Sequence, residues 1–479
     1  MSGICKQYRE SNLEDKLTFV LFLGISVVLL GVYLLSAFRS PVNADAGYYL
    51  GAVELIHNGY VPYRDFKLGY TPLFFYVLQI PRLFMGTYPE YTVYMLFLYL
   101  IVFLDAVLLA VIVRKISNSV KWAWFSAIAF LILYHYLDGL YFVLEAFSLC
   151  FGLASMLMLL GEKQSVWRII LSGAFAALAF LAKQYGALFA GVVGLLLLFS
   201  DIGWKNRMMN CLYAAMGFCI VIVLFVALFM ISGLGFDELM DAIAGRGYGR
   251  KAGSAYIEGT LKSLRLFPYL VFVPCLYFGK KDKQMGVAVA CLVALFLVSL
   301  QFYFNVFPHY YIFMLSFVLI LNVLMLKQLN RLKASRSLVF LYFGLLFTSI
   351  VIPMQSVYKD SKALVKHDLR IGQEYTAKEL RQIVDTYGIK SAMCYWGTLP
   401  YYALCPLQPS AIDKYGFSFG YDTEETYCER LVDADCFVVD KKQMKDVENM
   451  EVLNRMLHES FPIVETVPRS DVVVFIRNK

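Results

Sequence analysis

Leu17-Thr-Phe-Val-Leu-Phe-Leu-Gly-Ile-Ser-Val-Val-Leu-Leu-Gly-Val-Tyr-Leu-Leu-Ser-Ala-Phe38 is the stretch that decides the fold. It carries no charge and is long enough to cross a hydrocarbon core, which takes roughly 17–25 residues. It is too long for the apolar core of a cleavable signal peptide and ends without a small-residue cleavage site, so it is expected to remain as the first membrane helix. The same kind of run recurs along the chain. Apolar stretches over 17–38, 91–113, 122–140, 141–161, 168–182, 184–201, 208–231, 264–279, 285–303, 309–326 and 337–354 predict about eleven spans. The third and fourth nearly touch, as do the fifth and sixth, so each pair reads as a tight hairpin.

Composition agrees. Of 479 residues 59% are apolar and only 16% charged, against about a quarter charged in a soluble domain. Mean hydropathy is +0.62. The net charge of +7 does not point to nucleic acid, because the basic residues fall in short clusters between apolar runs. Lys6, Arg9 and Lys16, then Arg114 and Lys115, Lys163 and Arg168, Lys205 and Arg207, Lys280 and Lys281, and Lys327 and Arg331 all belong to one side of the membrane. The short loops of the other side, near 140 and over 304–308, have no Lys or Arg. That bias places the N-terminus in the cytoplasm and, with an odd number of spans, the C-terminus outside.

Three segments on the outer side exceed simple connections: 39–90, 232–263 and the tail from 355 onward. Long loops in compact proteins are usually functional. Within the first, Tyr48–Ile56 and Leu73–Phe84 read as short amphipathic helices lying at the interface. In the tail, helical patterns at Ala377–Tyr387 and Lys442–His458 alternate with Val- and Ile-rich runs at Ser391–Trp396, Cys436–Asp440, Ile463–Val467 and Asp471–Ile476, the marks of strands. The expected architecture is therefore an all-α polytopic membrane domain over 1–354, followed by a small extracytoplasmic α/β domain over 355–479. No Gly-rich phosphate loop supports a nucleotide site. Of the ten cysteines, none has zinc-ligand spacing. Cys394, Cys405, Cys428 and Cys436 fall in the tail, where disulfides are possible outside the cytoplasm but pairing is not legible.

The chemistry concentrates after the first run. In Asn43-Ala-Asp45-Ala-Gly-Tyr-Tyr49, a carboxylate sits at the edge of the bilayer, where ionisable groups are costly and usually functional. The alternative is a helix cap, since Asp45 precedes an apolar stretch and can accept backbone N–H bonds. Gly59-Tyr-Val-Pro-Tyr-Arg-Asp65 and Gly69-Tyr-Thr-Pro72 follow. With these motifs the chain resembles the GT-C superfamily of membrane glycosyltransferases, which includes protein mannosyltransferases and the lipid A aminoarabinose transferase. Members place an acidic residue soon after the first membrane helix, then a Gly-x-Pro-Tyr-x-Asp stretch and a Pro-led juxtamembrane helix. Asp45, Pro62, Tyr63, Asp65 and Pro72 match those positions, although this chain has Asp45-Ala46 where many members have Asp-Glu. Glu145 after His135-Tyr-Leu-Asp138, Lys183-Gln184, His309-Tyr310-Tyr311, and Trp396-Gly397 with Pro400-Tyr401-Tyr402 resemble further family patches in the same order.

What the resemblance implies is sugar transfer from a polyprenyl-phosphate donor to a glycan, lipid or protein on the outer face. Asp45 would be the general base that takes the acceptor's proton. Lys183, His309 and the basic loop bearing Arg246 and Arg250 would meet the donor phosphate, with Tyr310 adding a hydroxyl. Asp65 and Glu145 would bind sugar hydroxyls or orient the cations. Asp45 and Asp65 are also the carboxylates placed to hold a divalent cation, though no complete ligand set is visible. Bland readings stand beside these. Lys183 can snorkel from a hairpin end, His309 can be an interface residue, and Arg246 and Arg250 can touch lipid headgroups. Size and family suggest a bacterial inner membrane. The competing class is a transporter or flippase of a lipid-linked or small substrate, but no inverted repeat or matched pair of broken helices supports it.

Overall fold

The computed structural model describes residues 13–478, except 67, 87–88, 161–164, 238, 240–253, 279–282, 301–306, 406–407 and 410–423. Each of the eleven apolar runs falls on a helix. The first is α1 (Leu13–Arg39), and after a short link comes α2 (Ala44–His57). Then follow α3 (Tyr91–Ser117), α4 (Val120–Tyr136), α5 (Glu145–Leu159), α6 (Val166–Ala182), α7 (Leu188–Leu198), α8 (Trp204–Ile231), α9 (Ser254–Leu266), α10 (Lys283–Ser299), α11 (Ile312–Arg331) and α12 (Arg336–Lys366). Among the described residues five helical segments are long and apolar enough to cross a membrane, and several shorter apolar helices pack with them. The eighth run is a 3₁₀ segment, Pro268–Phe278, which at about 2.0 Å per residue reaches roughly 22 Å.

Where the apolar side chains point shows what each helix is for. On α1, Val27 and Val28 are 61% and 66% exposed, a greasy outer surface suited to lipid. α11 is the opposite, buried along nearly its whole length, as expected of a helix that is hydrophobic all round and central. The protein is thus an integral membrane protein built around α11.

Several expectations are corrected. The stretch Tyr48–Ile56 is not an amphipathic helix at the interface. It belongs to α2, whose residues from Ala46 to Leu55 are all buried, because the sequence there is apolar on every side but for Glu54. Glu54 is met by Arg82 at 2.7 Å, with both side chains buried. The Leu73–Phe84 stretch is helical with one apolar face covered and one open. It forms the short helices Leu73–Val77 and Gln79–Arg82, with Phe74 and Phe75 buried and Leu83 and Phe84 exposed. The third and fourth runs are joined by residues 137–144 rather than by a tight turn. α12 runs on to Lys366, so position 354 lies inside a helix. Its polar extension keeps the helical stripe, burying Val357 and Leu364 while Tyr358 and Val365 stay exposed.

The tail begins with α13 (Ile371–Tyr387) and forms a five-stranded sheet from β1 (Ser391–Cys394), β2 (Gln408–Pro409), β3 (Cys436–Asp440), β4 (Ile463–Thr466) and β5 (Val472–Ile476). The order is β2-β1-β3-β5-β4. β1 is parallel to β2 and β3, and β5 is antiparallel to β3 and β4. β5 is buried throughout, whereas β4 alternates half-buried and exposed residues, the pattern of an edge strand. β2 and the helix Glu424–Leu431 are additions to the sequence reading. The expected helix over Lys442–His458 is broken into a 3₁₀ turn, Met444–Glu448 and Glu451–Ser460, with Met450 extended between the last two. All four tail cysteines are free thiols.

Candidate active site

The N-terminus of α2 answers the question posed by Asp45. The cap is Asn43, whose side-chain oxygen accepts the N–H of Ala46 at 3.0 Å. Asp45 is therefore free of capping and stands in the first turn, where the helix dipole favours a negative charge. It is half-buried, and burial is the main reason its carboxyl is held above the ordinary aspartate range. The charges acting on it come, in order, from His309, Glu145, Lys183 and Asp138. His309 and Lys183 pull the value down, and the two carboxylates push it up.

Those four residues come from three distant parts of the chain and touch one another. Glu145, in the first turn of α5, is 1% exposed, and Lys183, just beyond the end of α6, is 3% exposed. The Lys183 ammonium donates to Glu145 Oε1. Lys183 is thus no snorkelling hairpin residue: its head is buried against a carboxylate, with the Tyr185 and Tyr310 rings at 5.7 and 5.8 Å. The local backbone permits this. Lys183 is extended between α6 and the 3₁₀ turn Gln184–Ala187. Gly186 lets that turn lie on α6, since a Cβ there would come within 2.1 Å of the Ala179 carbonyl.

His309 enters at the 3₁₀ turn Pro308–Tyr311, before α11. Its Nδ1 lies 3.0 Å from Asp138 Oδ2, and its backbone N–H donates to the same oxygen at 3.2 Å. A carboxylate only accepts, so Nδ1 carries the hydrogen and Nε2 is the nitrogen presented to the site. Nε2 faces Glu145 Oε1 at 3.9 Å. Asp138 makes this contact from a left-handed backbone, φ 69°, a conformation that Asp tolerates better than most residues. The following carbonyl, of Gly139, is held by Tyr99 Oη at 2.8 Å. Asp138 is the member of this cluster that the motifs alone left without a role. Its Asp-Gly dipeptide marks a turn, but nothing local reveals a partner 171 residues away.

The other expected residues separate clearly. Tyr310 joins the cluster, with its ring 4.9 Å from His309 and 6.0 Å from Tyr185. Asp65 does not. Its carboxylate accepts from Arg64 Nε and Nη2 at 2.8 and 2.7 Å and from the Val61 N–H at 2.7 Å. The Arg64 guanidinium holds it below the ordinary carboxylate range. Arg246 and Arg250 lie outside the described residues. Among the described residues no group of three or more His, Cys, Asp or Glu converges as a metal-ligand set.

A carboxylate with a raised pKa within electrostatic reach of a buried ammonium and an oriented imidazole can take a proton from a hydroxyl and steady a developing anion. No family model matches the chain, and no curated protein matches it. Solved structures do. ArnT from Cupriavidus metallidurans bound to undecaprenyl phosphate superposes with a TM-score of 0.62 at 14% identity, over 95% of this chain and 97% of that one. The apo form of the same protein gives 0.61. The apo oligosaccharyltransferase of Archaeoglobus fulgidus gives 0.51 at 13% identity, over 90% of this chain and 71% of that one. Both proteins are GT-C superfamily glycosyltransferases. The likeness runs through the membrane helices and the tail alike, and the chain has the GT-C fold.

Proposed function

We propose that this protein transfers a sugar, a hexose or a pentose, from a polyprenyl-phosphate donor to a glycan, lipid or protein acceptor. In this reading residues 1–354 form the catalytic membrane domain and 355–479 an outer domain. The N-terminus is cytoplasmic, and the site opens on the periplasmic face of a bacterial inner membrane. The observation that carries the reading is the meeting of Asp45, Glu145, Lys183 and His309 in a fold that, in ArnT, holds undecaprenyl phosphate.

The chemistry is a displacement at the anomeric carbon. The acceptor oxygen attacks C1 as Asp45 takes its proton, the bond from C1 to the phosphate oxygen breaks, and polyprenyl phosphate leaves with the electron pair. A phosphate leaving group needs positive charge rather than a proton donor. Lys183 and His309 supply it, with the Tyr310 hydroxyl as a further donor. Three carboxylates (Asp45, Glu145, Asp138) surround these two cations, so a bound phosphate calls for more positive charge. We assign that role to Arg246 and Arg250. Asp65 orders the first outer loop through Arg64 and lies where a sugar hydroxyl or a divalent cation can meet it.

The test is transfer of label from radiolabelled polyprenyl-phosphate sugars to a cell-envelope acceptor pool by the purified protein. Label on an acceptor, lost in Asp45→Asn and His309→Ala with no fall in unfolding temperature, supports the reading. Movement of the labelled lipid across a vesicle bilayer with no transfer from any donor would replace it with the flippase reading.

A further inference from the structure

The link that carries Asp45 is held from the tail. α1 ends at Arg39 and α2 begins at Ala44, so residues 40–43 alone connect a membrane helix to the turn that bears the carboxylate. Gln373, on α13, grips that link as a backbone would. The Val42 N–H donates to Gln373 Oε1 at 2.8 Å, and Gln373 Nε2 donates to the Val42 carbonyl at 2.9 Å. Just before it, Arg370 donates to the last carbonyls of α1, Ala37 at 3.0 Å and Phe38. Arg39 returns the contact, donating to the Leu364 and Val365 carbonyls of α12, both at 3.0 Å. Just after it, the 3₁₀ segment Trp396–Ala403 lies on α2 at Gly47. A Cβ at Gly47 would come 2.1 Å from the Leu399 carbonyl oxygen and 2.8 Å from Pro400 N, so only glycine allows the two backbones this close.

We propose that the C-terminal domain is part of the catalytic apparatus, with Gln373 and the Leu399–Pro400 backbone as positioning elements that fix Asp45 against Lys183 and His309. The inference rests on the reading of Asp45 as the base. A domain that merely capped the site or bound acceptor would have no reason to hydrogen-bond both backbone atoms of Val42 or to close on Gly47, two residues from the carboxylate. Those contacts set the axial and rotational placement of the first turn of α2. A displacement of about 1 Å at a reacting group can cost up to about 10²-fold in rate.

The experiment is a double-mutant cycle on the full-length protein in detergent, reading kcat and donor KM in the transfer assay together with the unfolding temperature. Gln373→Met removes both hydrogen bonds at similar volume, and Gln373→Glu keeps only the acceptor. The expected result is a fall in kcat of about tenfold or more for Gln373→Met, an intermediate loss for Gln373→Glu, and donor KM within about twofold, since the phosphate contacts are untouched. Gly47→Ala serves as an independent variant with the same kcat signature. In an Asp45→Asn background neither change should lower kcat further, because an absent base cannot be misplaced. If Asp45→Asn is impaired but Gln373→Met and Gly47→Ala retain wild-type kcat, or their losses multiply with that of Asp45→Asn, the positioning role is overturned while the base assignment survives. If Asp45→Asn is as active as wild type, both fall.

Discussion

The Lys183–Glu145 pair gives a prediction whose size follows from burial. Replacing Lys183 by Met removes the cation hydrogen-bonded to Glu145, which is 1% exposed. The next nitrogen, His309 Nε2, is 3.9 Å away, beyond hydrogen-bond reach. Stranding a buried charge in this way costs about 3–5 kcal/mol. The reciprocal change, Glu145→Met, strands the ammonium and is expected to cost a similar amount. Two stability losses of this size would sum to roughly 6–10 kcal/mol if the sites were independent. Replacing both residues by Met removes the charges together, and the double variant is expected within about 1–2 kcal/mol of wild type. The assay is thermal unfolding in one detergent, followed by tryptophan fluorescence and by retention of a monodisperse peak after heating. Both single variants should unfold well below wild type, and the double variant should unfold above either. A Lys183→Met protein as stable as wild type, or a double variant less stable than both singles, would refute the coupling.

Other expectations concern the remaining groups. Because burial raises the Asp45 carboxyl above the ordinary range, kcat/KM should fall on the acid side from a pH above that of an ordinary aspartate, by about tenfold per unit of pH below the limb. A raised acid favours the folded state below its unfolded pKa, and that contribution is lost as pH rises through the folded pKa. Asp45→Asn should therefore be slightly stabilising at neutral pH by heat unfolding. Asp138→Asn can keep the left-handed turn but no longer fixes the hydrogen on His309 Nδ1, and kcat should drop about tenfold or more with little change in unfolding temperature. At Asp65 the pair with Arg64 is partly exposed, with side chains 27% and 42% accessible. Asp65→Ala should cost no more than about 1 kcal/mol of stability and less activity than any change at Asp45, measured by the same unfolding and transfer assays.

What the sequence revealed follows the reach of each interaction. The apolar runs were legible as helices because a long apolar stretch is marked by local composition and length alone. β3 and β5 were legible because runs such as Cys436-Phe-Val-Val-Asp440 favour an extended, buried strand whatever surrounds them. Asp45 stood out because a charge beside a membrane helix demands a reason, but whether it capped α2 was settled only by Asn43 taking the cap. Lys183 was singled out for the donor phosphate, but its pairing with Glu145 was not legible because that partner is 38 positions away. The ends of hairpins look alike in sequence whether or not a carboxylate waits on the neighbouring helix. Asp138 with His309, and Gln373 with Val42, were invisible for the same reason at greater distance. α2 was misplaced because an all-apolar helix and an interfacial one differ in what covers the second face, which composition does not record.

The most direct test of the central claim is the transfer rate of Asp45→Asn against wild type, at matched fold and with the same labelled polyprenyl-phosphate donors. Loss of a general base predicts a fall in kcat of about 10²-fold or more, with the variant protein still monodisperse. Transfer by Asp45→Asn at the wild-type rate would contradict the account.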